Sequence, residues 1–209
     1  MSVESRRERE KVKMKNIILS ATKEIIKEEG IDHVSIRKIA RKIEYSPSII
    51  YHYFKDKEEI IMNVMESGYQ KIIMAVSRNQ SEELVPIERL VNMTSNYIEA
   101  ALEMQDEFMA AHLNQSEIAL RHTASLFKGA SKEKPALSVL YQCLKEMHEG
   151  KDCDDDYLEM TAQMIVVSTL GFIMKNIVEN NIGEEQRQRL KNFFVNETVV
   201  KLAGYHKIN

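Results

Sequence analysis

The chain has 209 residues, a formal net charge of −3 and an apolar share of 44%, room for one or two domains with a real core and an argument against disorder. No apolar run approaches the roughly 18 residues of a membrane span, and two cysteines make no disulfide framework. With only three prolines and seven glycines, and no alternating β-branched runs bounded by Asn-Gly or Asp-Gly turns, the composition predicts an all-α protein.

The net charge conceals an asymmetry. Residues 1–57 hold 14 Lys and Arg against 9 Asp and Glu, a balance of +5, while the remaining residues hold 15 against 23, a balance of −8. A basic head on an acidic body is the charge pattern of a nucleic-acid-binding domain joined to one with another task. The charged N-terminus MSVESRREREKVK has no apolar segment behind it, so nothing suggests export and a cytoplasmic location is expected.

A first helix is predicted over about 4–29. It opens as a charged arm, either a solvated helix start or a basic arm lying near a phosphate backbone. It turns amphipathic at Ile17, Ile18, Ala21 and Ile25, and Gly30 fits the residue that ends it. Ser35 can cap a second helix whose Ile36, Ile39, Ala40 and Ile43 share one stripe, with Arg37, Lys38, Arg41 and Lys42 on the remaining positions. Ser46 then offers a second cap. Pro47 takes the one helical position where proline costs nothing. It opens a helix of about two turns carrying Ser48, Tyr51, His52 and Tyr53. Two short helices joined so tightly read as a helix-turn-helix.

Asp56 followed by Glu59 is a capping-box-like start. The helix it opens can run through Ile60, Ile61, Val64, Met65, Tyr69, Ile72, Ile73 and Val76 to about Asn79, some 33 Å at about 1.5 Å per residue, long enough to act as a lever between head and body. After a break at Asn79-Gln80-Ser81, helices are expected from Pro86 to Met104, over about 107–113, within 116–127 ending near Gly129, and from Pro135 to Met147. The segment Lys151–Asp156 reads as an acidic loop. A helix over about 155–180 is apolar around most of its circumference between Ala162 and Ile177, so burial on both sides is expected. The last helix, about 184–203, is amphipathic. This pair, about 155–203, is the predicted dimer interface, and the whole amounts to about nine helices.

The head carries Ile17–Ala21, Glu29-Gly30-Ile31, Ser35-Ile36-Arg37-Lys38-Ile39-Ala40, and Ser46 followed by Ile50-Tyr51, Tyr53-Phe54 and Lys57-Glu58. On these residues, from Ile17 to roughly Val64, the chain resembles the TetR family of bacterial transcriptional regulators. The resemblance implies an N-terminal three-helix helix-turn-helix DNA-binding domain, here 1–55, and a helical ligand-binding and dimerisation domain, here 56–209. It also implies repression relieved by a small molecule. Since a single head has too small a footprint for useful specificity, a homodimer on a palindromic operator is expected from geometry. The body shows no matching motif. Where the family usually places glycine in the turn, this chain has Glu44, whose side chain would cost about 1 kcal/mol there. Pro47-Ser48 likewise departs from the family's early glycine in the recognition helix.

The expected DNA contacts follow. Ser35, Arg37 and Lys38 begin the helix that crosses the phosphate backbone, and each basic group would add to the salt dependence. Ser46 and Ser48 are small enough to approach base edges, and Pro47 could touch a thymine methyl. The resemblance places Tyr51, His52 and Tyr53 in the groove. Lys57, at a helix start, and Lys55 are phosphate contacts. In the body Met93, Tyr97, Met104, Phe108, Met109, Met164 and Phe172 are candidates for an adaptable cavity that takes a hydrophobic ligand.

His112, His122, His148, Cys143 and Cys153 have no ligand-like spacing, so no metal is expected, nor any other cofactor. No phosphate-cradling glycine loop, GxSxG or HExxH is present, which argues against an enzyme. The alternative reading, a helical protein-interaction module without sequence-specific DNA binding, leaves the basic head and its Tyr-His-Tyr group unexplained.

Overall fold

The computed structural model describes residues 3–78, 83–150 and 152–204, with side chains from Arg6 onward. The expected break at Asn79-Gln80-Ser81 and the start of the acidic loop at Lys151 lie outside them. The described residues are helical and contain no strand, as the composition demands. They form two compact units. One holds the chain up to Tyr69 together with Asp106–Thr123; the other holds Gln70–Gln105 and the chain from Ala124 onward.

In the first unit, α1 (Val3–Glu29) buries Ile18, Ala21, Ile25 and Ile26, spaced for one helical face. Thr22 joins them because its hydroxyl donates to the Ile18 carbonyl at 2.8 Å, which removes the cost of burying it. Ile17, expected on this face, is instead 36% exposed; the stripe is centred one residue later. Gly30 ends α1 at φ 90° with its N–H on the Ile26 carbonyl, a backbone conformation that glycine alone adopts freely.

Helices α2 (Ile36–Lys42), α3 (Pro47–Tyr51) and the start of α4 (Lys57–Ser77) close the core with Ile39, Ala40, Ile50, Phe54, Ile60, Ile61, Val64 and Met65. Each large side chain so buried contributes roughly 1.5–3 kcal/mol. The Asp56 carboxylate accepts the Glu59 N–H at 2.8 Å, and the Glu59 carboxylate reaches back to the Lys55 N–H at 2.6 Å. This is a capping box set one residue wide of the usual pairing.

No local pattern signalled that α6 (Gln105–Leu113) and α7 (Glu117–Thr123) complete this unit. Ala110, Ala111 and Ile118 pack against its core, Lys27 pairs with Asp106 at 2.7 Å, and His122 lies 3.7 Å from Glu66. Helix α7 stops at Thr123 rather than near Gly129.

The second unit is built on α5 (Pro86–Glu103), α9 (Pro135–Met147) and α10 (Asp155–Val178). Leu90, Met93, Leu137, Leu140, Cys143, Leu144, Leu158, Ala162 and Ile165 share one core with Val199 and Ala203 of the last helix. That helix, α11 (Glu184–Phe193), continues through a π-helical stretch Phe194–Val199 into a final turn Val200–Leu202. A short α8 (Ala130–Glu133), absent from the expected count, is held by Glu159, whose carboxylate accepts the N–H of Gly129 and the N–H and hydroxyl of Ser131 at 2.9, 2.9 and 2.7 Å. Gln163 adds bonds to the Ser125 and Phe127 carbonyls.

Helix α10 departs from expectation twice. Among the described residues it alone has the length and apolar composition to cross a membrane; its polar residues interrupt every continuous apolar run, so the run length hid this. Its buried Glu159 and Gln163 are spent on the loop before α8, as in a core helix. Nor is it buried all round: Tyr157, Met160, Met164, Val167 and Val178 are exposed. The first four recur at three- and four-residue spacing, and Val178, 11 residues after Val167, returns to the same outward face.

Candidate DNA-binding surface

Ser35 caps α2 as predicted, its hydroxyl accepting the Lys38 N–H at 3.3 Å. The turn that follows is kept without glycine. Glu44 takes φ 58°, the only positive φ outside glycine among the described residues, and the Tyr45 N–H closes the turn on the Ala40 carbonyl at 3.0 Å. Ser46 does not cap α3 through its side chain. Its hydroxyl pairs with that of Ser48 at 2.7 Å, leaving Pro47 to start the helix with its fixed φ.

The α3 helix is shorter than expected. It ends at Tyr51, and His52 and Tyr53 continue as a turn whose Phe54 N–H bonds to the Ile50 carbonyl at 3.0 Å. Phe54 is 2% exposed, and drawing it into the core divides the aromatic group. Tyr51, 58% exposed, and His52 face outward. Tyr53 is half-buried against the core. Ser46, Pro47 and Ser48 are all exposed at the N-terminal end of α3, where a recognition helix addresses base edges.

The basic residues divide in the same way. Lys38 gives its ammonium to Glu29 at 2.5 Å, a bond that holds the Glu29 carboxyl below its ordinary value. Lys42 is bound to Glu28 and Glu24 at 2.9 and 3.1 Å, which raises its ammonium above the usual lysine range. Arg37 and Lys55 remain exposed, and Lys57 starts α4 with Glu58 4.0 Å away. Arg41 and Tyr45, which were not among the expected contacts, are exposed beside them. The signal for Arg41 lay in its spacing: four residues after Arg37, it shares the same side of α2.

The seven pocket candidates are divided between the two units. Phe108 and Met109 belong to the first unit, where the Phe108 ring lies 4.1 Å from that of His112. Met93 is buried in the core of the second unit, Tyr97 and Met104 pack against that core, and Phe172 stacks on Phe194 at 4.6 Å. Met164 is 47% exposed on the outer face of α10, so it lines no interior cavity of this chain. Burial raises the Tyr97 phenol well above its ordinary value.

The possible metal ligands are engaged elsewhere. The Cys143 thiol donates to the Pro86 carbonyl at 3.1 Å, and burial pushes it up to about 11. Nδ1 of His112 and of His148 each lies 2.9 Å from a carbonyl of its own helix.

A capped helix, a tight turn and a short exposed helix on a three-sided core define a helix-turn-helix DNA-binding domain. Residues 18–64 match the family of bacterial regulatory proteins named for tetR. The transcriptional regulator HbdR of Aromatoleum is 26% identical over 95 residues, a match that covers 46% of this chain and 42% of that protein. Among solved structures, a TetR-like regulator from Rhodococcus is 15% identical with TM-score 0.65, covering 91% of this chain and 96% of that one. SmeT, the repressor of a multidrug efflux pump in Stenotrophomonas maltophilia, is 17% identical with TM-score 0.64, covering 90% and 88%. Residues 18–64 thus carry the DNA-binding module of tetR-type bacterial regulators, and the described chain has the fold of solved structures of such regulators.

Proposed function

We propose that this chain is a repressor that binds a palindromic operator as a homodimer in the cytoplasm and is released by a small hydrophobic molecule. The observation that carries the reading is the exposure of Tyr51 and His52 beside Ser46, Pro47 and Ser48, on a head whose core leaves them no structural task. In this reading residues 1–55 address DNA and 56–209 bind the effector and the second copy. The serines and Pro47 approach bases, Tyr51, His52, Arg37, Lys55 and Lys57 engage phosphates or base edges, and Ser35 sets the entry of α2. Lys38 serves mainly to fix α2 on α1, and Tyr53 mainly to pack.

A dimer is supported by the apolar outer face of α10 (Tyr157, Met160, Met164, Val167, Val178), and by Leu190 and Phe193 of α11, 39% and 66% exposed. A single head has too small a footprint for useful specificity, so two heads on a two-fold site follow from geometry. An effector is supported by Asn176, which is 5% exposed; its Nδ2 donates to the Phe172 carbonyl, while its Oδ1 has no hydrogen-bond partner among the described residues. Leaving such an acceptor unpaired costs about 1–3 kcal/mol, and an apolar molecule with one hydroxyl or amine would supply the missing donor. Ligand entry would act through α4, a continuous helix that begins at the head and ends in the body.

The test is selection of genomic DNA fragments on the purified protein. A recurrent palindromic sequence supports the reading, and salt-sensitive binding with no enriched sequence contradicts it.

A further inference from the structure

The first turns of α1 take no part in the core. Residues 6–13 are all exposed, and buried packing begins only at Met14 and Ile18. A helix that is polar nearly all round gains little from burial, so core packing does not account for its composition. Its charge is one-sided: residues 6–15 carry six Lys and Arg against Glu8 and Glu10. Arg6 is paired with Glu10 at 3.0 Å. Arg7, Lys11 and Lys13 have no acidic partner among the described residues.

At 3.6 residues per turn these cations form two stripes, Arg6-Arg9-Lys13 and Arg7-Lys11-Lys15. Each leads to one end of the recognition motif. Arg9 and Lys13 border a groove closed by Lys42 and Ile43, immediately before the turn at Glu44. Lys15 lies over the Phe54 ring at 5.2 Å, immediately after Tyr51 and His52. The charged extension therefore leaves the head on the side that presents the recognition helix.

We infer that the N-terminal turns of α1 are a second DNA-binding surface, in which Arg7, Lys11 and Lys13 neutralise phosphates outside the stretch read by α3. The contact is sequence-independent, because point charges on flexible stems read phosphates and not base edges. It rests on the proposed DNA binding and adds to it a longer footprint.

The experiment compares the full chain with its R7Q/K11Q/K13Q variant on two duplexes, one selected from the genome and one of mixed sequence, between about 50 and 200 mM salt. The variant should bind both more weakly, with a slope of log affinity against log salt shallower by about 0.9 for each phosphate no longer neutralised. An R7K/K11R/K13R variant should keep the full slope, and E8Q/E10Q should tighten binding to both duplexes. All of these positions are exposed, so far-UV circular dichroism should be unchanged. A glutamine variant with unchanged slope on both duplexes overturns the inference while leaving the operator reading intact. A wild-type chain with no salt-dependent binding overturns both.

Discussion

Glu159 of α10 receives both the N–H and the hydroxyl of Ser131, at 2.9 and 2.7 Å, and so joins two segments 28 residues apart. These bonds, with that from Gly129 as the leading cause, hold its carboxyl below the ordinary glutamate value. A carboxylate lowered on folding stabilises the native state in full above its unfolded pKa, about 4.3. That contribution fades as pH falls through the lower native value. Glu159→Gln should therefore be less stable than wild type at neutral pH, by about 1–3 kcal/mol, and should lose less on acidification between about pH 5 and 3. Urea unfolding at several pH values measures both.

The left-handed Glu44 makes an opposite prediction. Its φ of 58° carries the steric penalty of a side chain in a region where glycine has none. Glu44→Gly should stabilise the protein by about 0.5–1 kcal/mol, the relief of strain being partly offset by the greater freedom of glycine when unfolded. A midpoint lower than wild type in denaturant would mean that the Glu44 side chain holds the turn by a contact of its own.

Tyr51 and Tyr53 are two residues apart yet should behave differently. Tyr51→Ala removes an exposed ring and should weaken binding to the selected site, by about tenfold for a loss near 1.4 kcal/mol, without lowering thermal stability. Tyr53→Ala removes packing from the core and should lower the unfolding midpoint. Equal effects of the two on stability would return Tyr51 to a structural role.

The outer face of α10 predicts its own result. Placing a charge on it through Met164→Glu or Val167→Asp should convert a dimer to a monomer in sedimentation equilibrium. The fold should survive, because both positions are exposed in the single chain. A wild-type chain that sediments as a monomer would remove the basis for a two-headed operator complex.

The head was largely legible in the sequence, because local rules govern it. The Ser35 cap, the proline at the start of α3 and the stripe of α2 are each set by residues within a turn of one another. What the sequence hid was long-range. Lys38 looks like a free cation until Glu29, nine residues away, is seen to bind it. The place of α6 and α7 in the first unit depends on Asp106 meeting Lys27 and on Ala110 reaching a distant core. Helix α10 shows the limit of composition: an apolar circumference predicted burial on both sides, yet in the single chain its outward face is as apolar as the one turned to the core. The pocket candidates meet a related limit, since residue type identifies what can line a cavity but not which side chains share one.

The function proposed for this chain depends on the exposed residues at Ser46–His52 reading a specific two-fold DNA site. Sequencing the genomic fragments retained by the wild-type chain and by a Y51A/H52A variant, at equal protein and physiological salt, tests that directly. Specific readout predicts a palindromic sequence strongly enriched by the wild type and absent from the variant's fragments, with general DNA retention preserved through the basic side chains. Identical fragment populations for the two proteins would contradict it.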